Sequence, residues 1–360
     1  MSKIFIAANT LDIGGIETSL IAFLKNIDLK KNKVTLLLQN RKGALLEQVP
    51  KGIDIIEYKP IKSKNILFRK IKNRINFINF IKENKDKYDV SICYASYIYL
   101  PSIIVRKISK NNYMWVHTDY SKIYSLSDFF RFIKLYGYNK YSNLVFVSKE
   151  ALNNYPFKMK EQKYFVCHNL LPLDIEKKSL EKVDYKKKKK FLFVNISRHD
   201  EDAKKISRII EASYELKKEY SDFEVLLIGE GNDTSKYVEM LNNYEINDTI
   251  KILPMTTNPY PYYKLADCFL LSSNYEGGPI TIYESLILKT PVITTNVGDV
   301  KDYVDKNNGI IIDKNVMSLK RAMFEFINNK YSVKFDSDKF NKEVKDVLNS
   351  IIESGNNHEI

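Results

Sequence analysis

Two carboxylates, Glu276 and Glu284, enclose the segment Gly277-Gly278-Pro279-Ile280-Thr281-Ile282-Tyr283, so acid groups, a backbone hinge and a helix start occur within one short stretch. The apolar run Asp267-Cys268-Phe269-Leu270-Leu271-Ser272 before it is strand-like in its shortness and aromatic content, and Tyr283 to Leu288 after it has a helical pattern. The glycine pair is therefore expected at a strand-to-helix turn. There the free N–H groups of Gly277, Gly278 and Ile280 face a bound anion or polar ligand. Pro279 lacks only a donor that the helix start does not need, and the helix dipole favours negative charge. Glu276 at the loop mouth and Glu284 two turns along the helix can face one ligand, an arrangement suited to a sugar nucleotide. Many α/β proteins use the same pattern as a plain turn, and the stretch taken alone leaves both readings open.

A second glycine turn lies near the start of the chain. Ile4 to Ala8 reads as a strand, Asp12-Ile13-Gly14-Gly15-Ile16-Glu17 as a turn and Thr18 to Lys25 as a helix. Gly14 and Gly15 let the backbone come close to a phosphate, but the full GxGxxG fingerprint is missing, which disfavours a nicotinamide or flavin. In the second half a buried strand, Phe191 to Ser197, leads to Arg198 at its carboxyl end and Lys204 near the next helix start. Open α/β sheets hold ligands at that place, and a guanidinium fork with an ammonium suits a diphosphate leaving group. As surface ion-pair residues the two would need no function. Asp200-Glu201-Asp202 and Asp336-Ser337-Asp338 have the look of metal-holding acids, but neither follows a strand. Acids at a helix N-terminus and solvated charge account for them, and no metal is expected.

His117 ends the apolar run Met114-Trp115-Val116 at the edge of a candidate strand. A neutral imidazole there exchanges hydrogen bonds with a ligand hydroxyl or serves the structure alone. His168, His199 and His358 lack a comparable setting. No nucleophile elbow and no Ser/His/Asp order appears, which disfavours hydrolase chemistry.

These residues need a scaffold, and 360 residues with 44% apolar content suffice for two domains with buried cores. Short apolar strands alternate with helical patterns at Ile4–Ala8, Val34–Leu38, Val90–Tyr94, Asn143–Val147, Phe191–Ile196, Glu224–Ile228, Phe269–Leu271 and Val292–Thr294. That alternation predicts an α/β fold with parallel sheets. The expected division is a first domain over 1–170, a linker over 171–190 ending in the five lysines Lys186 to Lys190, a second domain over 191–333 and a helical tail over 334–360 that packs back on the body. Phe335, Phe340, Val344, Val347, Leu348 and Ile351 give the tail an amphipathic spacing.

Net charge is +13, which admits nucleic acid, anionic lipid or phosphorylated substrates as partners. Cys93, Cys167 and Cys268 lie far apart with no CxxC spacing, as in a protein of a reducing cytosol. The N-terminal apolar run is too short for a signal peptide. The longest uncharged stretch, Val90 to Val105, is broken by Pro101 and falls short of the roughly 20 apolar residues of a membrane span. From Tyr58 to Lys82 there are eight basic residues and no acidic one, while Leu67, Ile71, Ile75 and Ile78 recur at helical spacing. The apolar stripe is expected to face the core, and the basic face of 59–82 is a candidate contact for an anionic bilayer.

Taken in order, these pieces resemble the retaining GT-B glycosyltransferases of family 4. The resemblance covers nearly the whole chain and rests on Gly14-Gly15-Ile16-Glu17, His117, Val145 to Ser148 with Glu150-Ala151, Asn195 to Lys205, Leu226 to Gly231, Leu265-Ala266-Asp267, the Glu-x7-Glu element Glu276 to Glu284, and Pro291 to Thr295. It implies a GT-B architecture, two Rossmann-like parallel-sheet domains facing across a cleft. It also implies transfer of a hexosyl or N-acetylhexosaminyl group from a UDP-sugar to a glycan or lipid-linked acceptor, on one face of the sugar, with no metal or other cofactor. By that resemblance Glu276 contacts donor-sugar hydroxyls and the backbone of Gly277, Gly278, Pro279 and Ile280 surrounds the sugar and phosphate. Glu284 bonds the ribose, Arg198 and Lys204 hold the diphosphate with help from Gly14 and Gly15, and His117 contacts the transferred sugar. Gly229 and Glu230 line the nucleoside pocket. Glu276, His117, Arg198 and Lys204 are the catalytic candidates.

The chain departs from the pattern in three places. Ser197 stands where the family usually has Gly, Lys204-Lys205 stands where it often has Lys-Gly, and Leu253-Pro254-Met255 with Asn258-Pro259-Tyr260-Pro261-Tyr262 is atypical. Two other enzymatic or related readings compete: a nucleotide-sugar epimerase, which binds the same donor without an acceptor, and a non-catalytic partner subunit, which the retained Arg198, Lys204, Glu276 and Glu284 disfavour. Nucleic-acid binding suits the charge, but no RNA-binding or recognition-helix motif is present. The lysine-, isoleucine- and asparagine-rich composition suits a bacterium, where capsule or other cell-envelope glycan assembly in the cytoplasm, at the inner face of the plasma membrane, is the expected setting.

Overall fold

Thirteen strands form two all-parallel sheets in a computed structural model that describes residues 1–353. The end of the expected tail, 354–360, with His358, lies outside the described residues. The chain divides into one unit of Met1–Leu170 together with the residues from Asn341 on, and a second of Leu171–Phe340.

The first unit contains β1 Ser2–Ala8, β2 Asn32–Leu38, β3 Asp54–Glu57, β4 Val90–Cys93, β5 Asn112–Val116, β6 Asn143–Phe146 and β7 Lys163–Val166, in the order β3-β2-β1-β4-β5-β6-β7. Its helices are α1 Gly15–Asn26, α2 Ile66–Asn84, α3 Tyr99–Ile108, α4 Leu126–Tyr136 and α5 Lys149–Asn153. In the second unit α6 Ile175–Lys178 precedes β8 Phe191–Ile196, α7 Glu201–Lys204, α8 Ile206–Lys217 and β9 Phe223–Ile228. There follow α9 Thr234–Asn243, β10 Ile250–Leu253, α10 Tyr260–Leu265, β11 Cys268–Leu271, α11 Ile280–Ile287, β12 Val292–Thr295, β13 Gly309–Ile312 and α12 Val316–Asn328. The second sheet runs β10-β9-β8-β11-β12-β13. Helix α13, Ser337–Glu353, carries the tail, with Val344, Leu348, Ile351 and Ile352 buried.

Parallel strands covered on both faces must be apolar along their whole length. Strand β9, Phe-Glu-Val-Leu-Leu-Ile, is buried at every position, and the one charge it carries, Glu224, accepts from Tyr185 Oη at 2.6 Å and from the Lys188 amide at 2.7 Å. Residues 171–190, expected as a linker, are therefore fastened to the second unit. Leu171 and Ile175 are buried, and Lys187 pairs with Asp267 at 2.5 Å. In the first unit α2, α3 and α4 pack on one core cluster that includes Phe5, Ala7, Cys93, Met114 and Phe146 from the sheet.

One expectation is reversed. The stripe Leu67, Ile71, Ile75 and Ile78 of α2, read from sequence as core, is 46–69% exposed; the residues that turn inward are Phe77, Phe80 and Ile81. Helical spacing does not say which apolar stripe wins when a helix carries two, and the aromatic side buries the greater area. The sequence reading also passes over the strands at both edges of each sheet, β3, β7, β10 and β13.

Phe193 on β8 is fully buried against Phe223 and Phe326, with ring centroids 6.1 and 5.9 Å away. Phe193→Ala is expected to cost about 3–5 kcal/mol of stability through lost burial and a residual cavity. Denaturant unfolding of the purified variant, followed in the second unit, checks this.

Candidate functional site

In the second unit the chain runs from β8 outward through β9 to β10, then returns to β11 on the other side of β8 and runs outward through β12 to β13. The order reverses between β8 and β11, where connections leave the strand ends in opposite directions and open a crevice at their carboxyl side. The loop after β8 brings Arg198 and, through the short α7, Lys204; the loop after β11 brings Glu276 to Ile280. Lys204 Nζ lies 2.6 Å from Glu276 Oε1, which also accepts from Ser273 Oγ at 2.6 Å. The two side chains keep 21% and 13% of their surface, enough for a ligand to reach them.

Other bonds fix the spacing of these loops. The Asn274 amide donates to Ala203 O at 2.8 Å, Asn274 Nδ2 donates to Asp202 O at 2.9 Å, and Ser272 Oγ reaches the carbonyls of Lys204 and Lys205 at 3.0 and 2.8 Å. Buried Arg208, on α8, donates to Ser272 O and to Asn274 Oδ1. Lys205 has left-handed backbone, φ 49° and ψ 50°, a conformation that glycine adopts without steric cost. Its ammonium pairs with Glu201 Oε1 at 2.8 Å, which offsets part of that cost. Burial raises the Glu201 carboxyl, but the bonds from Lys205, Ser207 and Tyr237 outweigh it and bring the group down to about 2. Lys205 thus holds a left-handed turn and adds an ion pair to it.

Arg198 does not join the pair. Its guanidinium is 67% exposed and bonds Asp200 Oδ2 at 2.9 Å, while Asp200 Oδ1 caps α7 by accepting from the Ala203 amide. Asp200-Glu201-Asp202 therefore lies at a helix start. Gly229 follows β9 with φ +153°, and a Cβ there would stand 1.9 Å from Ser197 O; one on Gly231 would stand 2.1 Å from His199 O. The loops after β8 and β9 thus lie backbone against backbone, which requires glycine at both positions. Glu230 Oε1 accepts from the Met255 amide at 3.4 Å.

α11 begins at Ile280, so Glu284 comes one turn into the helix rather than the two expected. It is 3% exposed, and Tyr260 and Tyr263 of α10 donate to its two oxygens at 3.3 and 3.1 Å. Burial pushes its carboxyl up to about 7, against the opposing effect of both hydroxyls. Glu276 and Glu284 thus occupy different settings, one in the crevice and one behind it.

Gly14, Gly15 and His117 belong to the first unit, whose order reverses between β1 and β4. Gly14 precedes α1 in extended conformation, and Gly15 has no neighbour within 4 Å of where a Cβ would stand. His117, just after β5, is 7% exposed and its Nε2 lies 3.0 Å from Tyr94 O. A carbonyl only accepts, so Nε2 carries the proton and Nδ1 is left as an acceptor; Nδ1 has no partner in the structure. Burial pushes the imidazole down to about 3, which keeps it neutral. Tyr94 in turn bonds Ser19 of α1 at 2.6 Å, tying the β4 end to the helix that follows the glycines.

Lys204, Glu276 and the Gly277–Ile280 loop are thus brought together in the second unit, with Gly229 and Glu230 at the adjacent strand end. Ser273, Asn274 and Arg208, which set the geometry, and Tyr260 and Tyr263, which hold Glu284, escape the sequence reading. The two tyrosines carry a legible signal, three residues apart on one helix face, although only Tyr260 falls within the atypical segment ending at Tyr262.

Residues 176–345 match the model of the Glycosyl transferases group 1 family. The match covers just under half of the chain, and the second unit is thus similar to the domain of that family. The chain is 29% identical over 258 residues to an uncharacterized glycosyltransferase, MJ1059, of Methanocaldococcus jannaschii, a match covering 65% of this chain and 62% of that protein. It is 19% identical to the amylovoran biosynthesis glycosyltransferase AmsD of Erwinia amylovora, over 66% of each chain. Both matches thus span slightly under two thirds of the relative's length. Anabaena HepE, solved in complex with UDP and glucose, is similar in fold with a TM-score of 0.76 and 16% identity over 97% of this chain and 100% of that one. The two parallel-sheet domains and the GT-B fold expected from the sequence are therefore borne out.

The proton on buried Glu284 gives a pH signature. The folded state holds it up to about pH 7, whereas the unfolded chain loses it in the usual carboxylate range near 4.5. Between those values the folded state binds the extra proton, so stability falls as pH rises, by on the order of 3 kcal/mol across the window. Glu284→Gln, which does not titrate, is expected to lose less thermal stability than the wild type between about pH 5 and pH 8. Equal losses in the two proteins would contradict the assignment.

Proposed function

We propose that this chain is a retaining GT-B glycosyltransferase of family 4 type. It moves a hexosyl or N-acetylhexosaminyl group from a UDP-sugar to a glycan or lipid-linked acceptor in capsule or other cell-envelope polysaccharide synthesis, on the cytoplasmic side of the plasma membrane. The observation that carries the reading is the Lys204–Glu276 pair in the crevice between β8 and β11, beside the Gly277–Ile280 turn. An ammonium and a carboxylate fixed 2.6 Å apart are suited to two ends of one ligand, the ammonium to a phosphate and the carboxylate to sugar hydroxyls. The names of the relatives add support, since AmsD acts in polysaccharide biosynthesis and HepE binds UDP and glucose.

In this reading Lys204 holds the diphosphate and the exposed Arg198 swings from Asp200 to join it. The backbone of Gly277 to Ile280 lies along the sugar and phosphate, with Gly14 and Gly15 assigned to the phosphate side. Gly229 and Glu230 line the nucleoside. Glu284 meets the ribose through lone pairs that Tyr260 and Tyr263 leave unused. His117 accepts a hydrogen bond from a hydroxyl of the transferred sugar at Nδ1. The bond from the anomeric carbon to the phosphate oxygen breaks and a bond to the acceptor oxygen forms on the same face of the sugar. The departing phosphate oxygen takes the acceptor's proton. Two cations meet the leaving-group charge, and the reaction uses no metal or other cofactor.

Thermal shift of the full chain against UDP-, GDP- and dTDP-sugars is expected to single out the UDP donors, because a ligand that binds only the folded state raises its apparent stability. Arg198→Ala and Lys204→Ala are each expected to lose about 2–4 kcal/mol of transition-state stabilisation, read from kcat/KM with the donor so identified. Near-wild-type turnover in both variants sinks the assignment. Release of an epimer without an acceptor identifies an epimerase instead.

A further inference from the structure

Helix α2 is apolar on two sides, and only one of them is used by the fold. Phe77, Phe80 and Ile81 turn to the core of the first unit, and on the same side Asn73 exchanges hydrogen bonds with the Ile61 backbone at 2.6 and 3.2 Å. At about 100° per residue, Leu67, Ile71, Ile75 and Ile78 fall within an arc of about 80° directed away from those contacts. They are 69, 53, 46 and 52% exposed, and Phe68 at the edge of the arc is 54% exposed. An unbroken exposed apolar stripe of this kind is rare on a protein surface that meets only water.

The charges that border the stripe are basic, and the one acidic residue of α2, Glu83, stands in its last turn beyond the stripe. Lys70 and Arg74 border it on one side, Lys72 borders it on the other, and no acidic residue occurs from Tyr58 to Lys82. The pattern selects among occupants. A second copy of the chain docked through the same stripe sets cations against cations. A nucleic-acid backbone meets the cations but offers nothing to the isoleucines. A bilayer with anionic headgroups meets both at once, because apolar side chains enter the acyl boundary while flanking lysine and arginine stay at headgroup level.

We propose that α2 is an interfacial helix that lies flat on a membrane rich in anionic phospholipid, with Leu67, Ile71, Ile75 and Ile78 inserted and Lys70, Lys72 and Arg74 on the headgroups. The inference rests on α2 alone and is independent of the glycosyltransferase reading. It places the first unit at the surface of a bilayer without any spanning segment; among the described residues no helix is long and apolar enough to cross one.

Co-sedimentation of the full chain with vesicles tests it. The protein is expected to bind vesicles of phosphatidylcholine mixed with phosphatidylglycerol, to release with added salt and to leave pure phosphatidylcholine unbound. Lys70→Ala/Arg74→Ala is expected to weaken binding by about tenfold or more, from roughly the contribution of two cations near an anionic surface. Ile71→Ser/Ile75→Ser is expected to abolish binding, with the thermal unfolding of both variants unchanged because the positions are exposed. No binding to the anionic vesicles overturns the proposal, as does binding that survives both double substitutions. A concentration-dependent dimer that Ile71→Ser/Ile75→Ser breaks, without vesicle binding, assigns the stripe to a second copy. UDP-sugar thermal shift, read in parallel, reports the donor site separately.

Discussion

The contact between Lys204 and Glu276 is one that two separate loops must be built to allow. Each residue sits beyond the carboxyl end of a different strand, and adjacent strands whose connections leave in opposite directions have no reason to bring their loops together. Arg208, Ser272 and Asn274 supply the reason. Ser272 and Asn274 bond the β11 loop to the backbone of α7, and Arg208 holds that loop from α8, so that the pair is set by main-chain geometry rather than by the flexibility of a lysine. A half-screened ion pair adds little stability of its own, since desolvation takes back most of the attraction. Its consequence is positional: a fixed cation and a fixed acceptor at the mouth of a glycine turn, without the entropy loss that ordering them on ligand arrival would entail.

The two acids of the Glu-x7-Glu element are physically unlike. Glu276 is partly open to the crevice and bonded to an ammonium, whereas Glu284 is enclosed by Tyr260 and Tyr263, and burial pushes its carboxyl up to about 7. Of these two, Tyr260 lies in the atypical segment Asn258 to Tyr262, and Tyr263 directly follows it. At Lys205 a left-handed residue other than glycine is held with an ion pair to Glu201.

Central strands were legible in the sequence because both their faces are covered and they read as continuous apolar runs; β1, β8, β9 and β11 are examples. The edge strands were not. β3 is Asp-Ile-Ile-Glu and β7 begins with a lysine; both are short and half-exposed, and pairing with a neighbour rather than their own composition makes them strands. The candidate site was legible as residue types at strand ends, but the bonds that join those ends were not, since Arg208 and Asn274 are 66 residues apart and Lys204 and Glu276 are 72 apart. The exposed side of α2 failed for a related reason: two apolar stripes on one helix give a periodicity that does not say which one the core takes.

Calorimetric titration of the full chain with UDP and with the UDP-sugar it prefers tests the division of labour between Lys204 and Glu276 most directly. Glu276→Gln is expected to retain UDP affinity while losing the difference between UDP and UDP-sugar, and Lys204→Met to weaken both ligands by a similar factor. Unchanged UDP binding in Lys204→Met, or an undiminished sugar-dependent difference in Glu276→Gln, would contradict it.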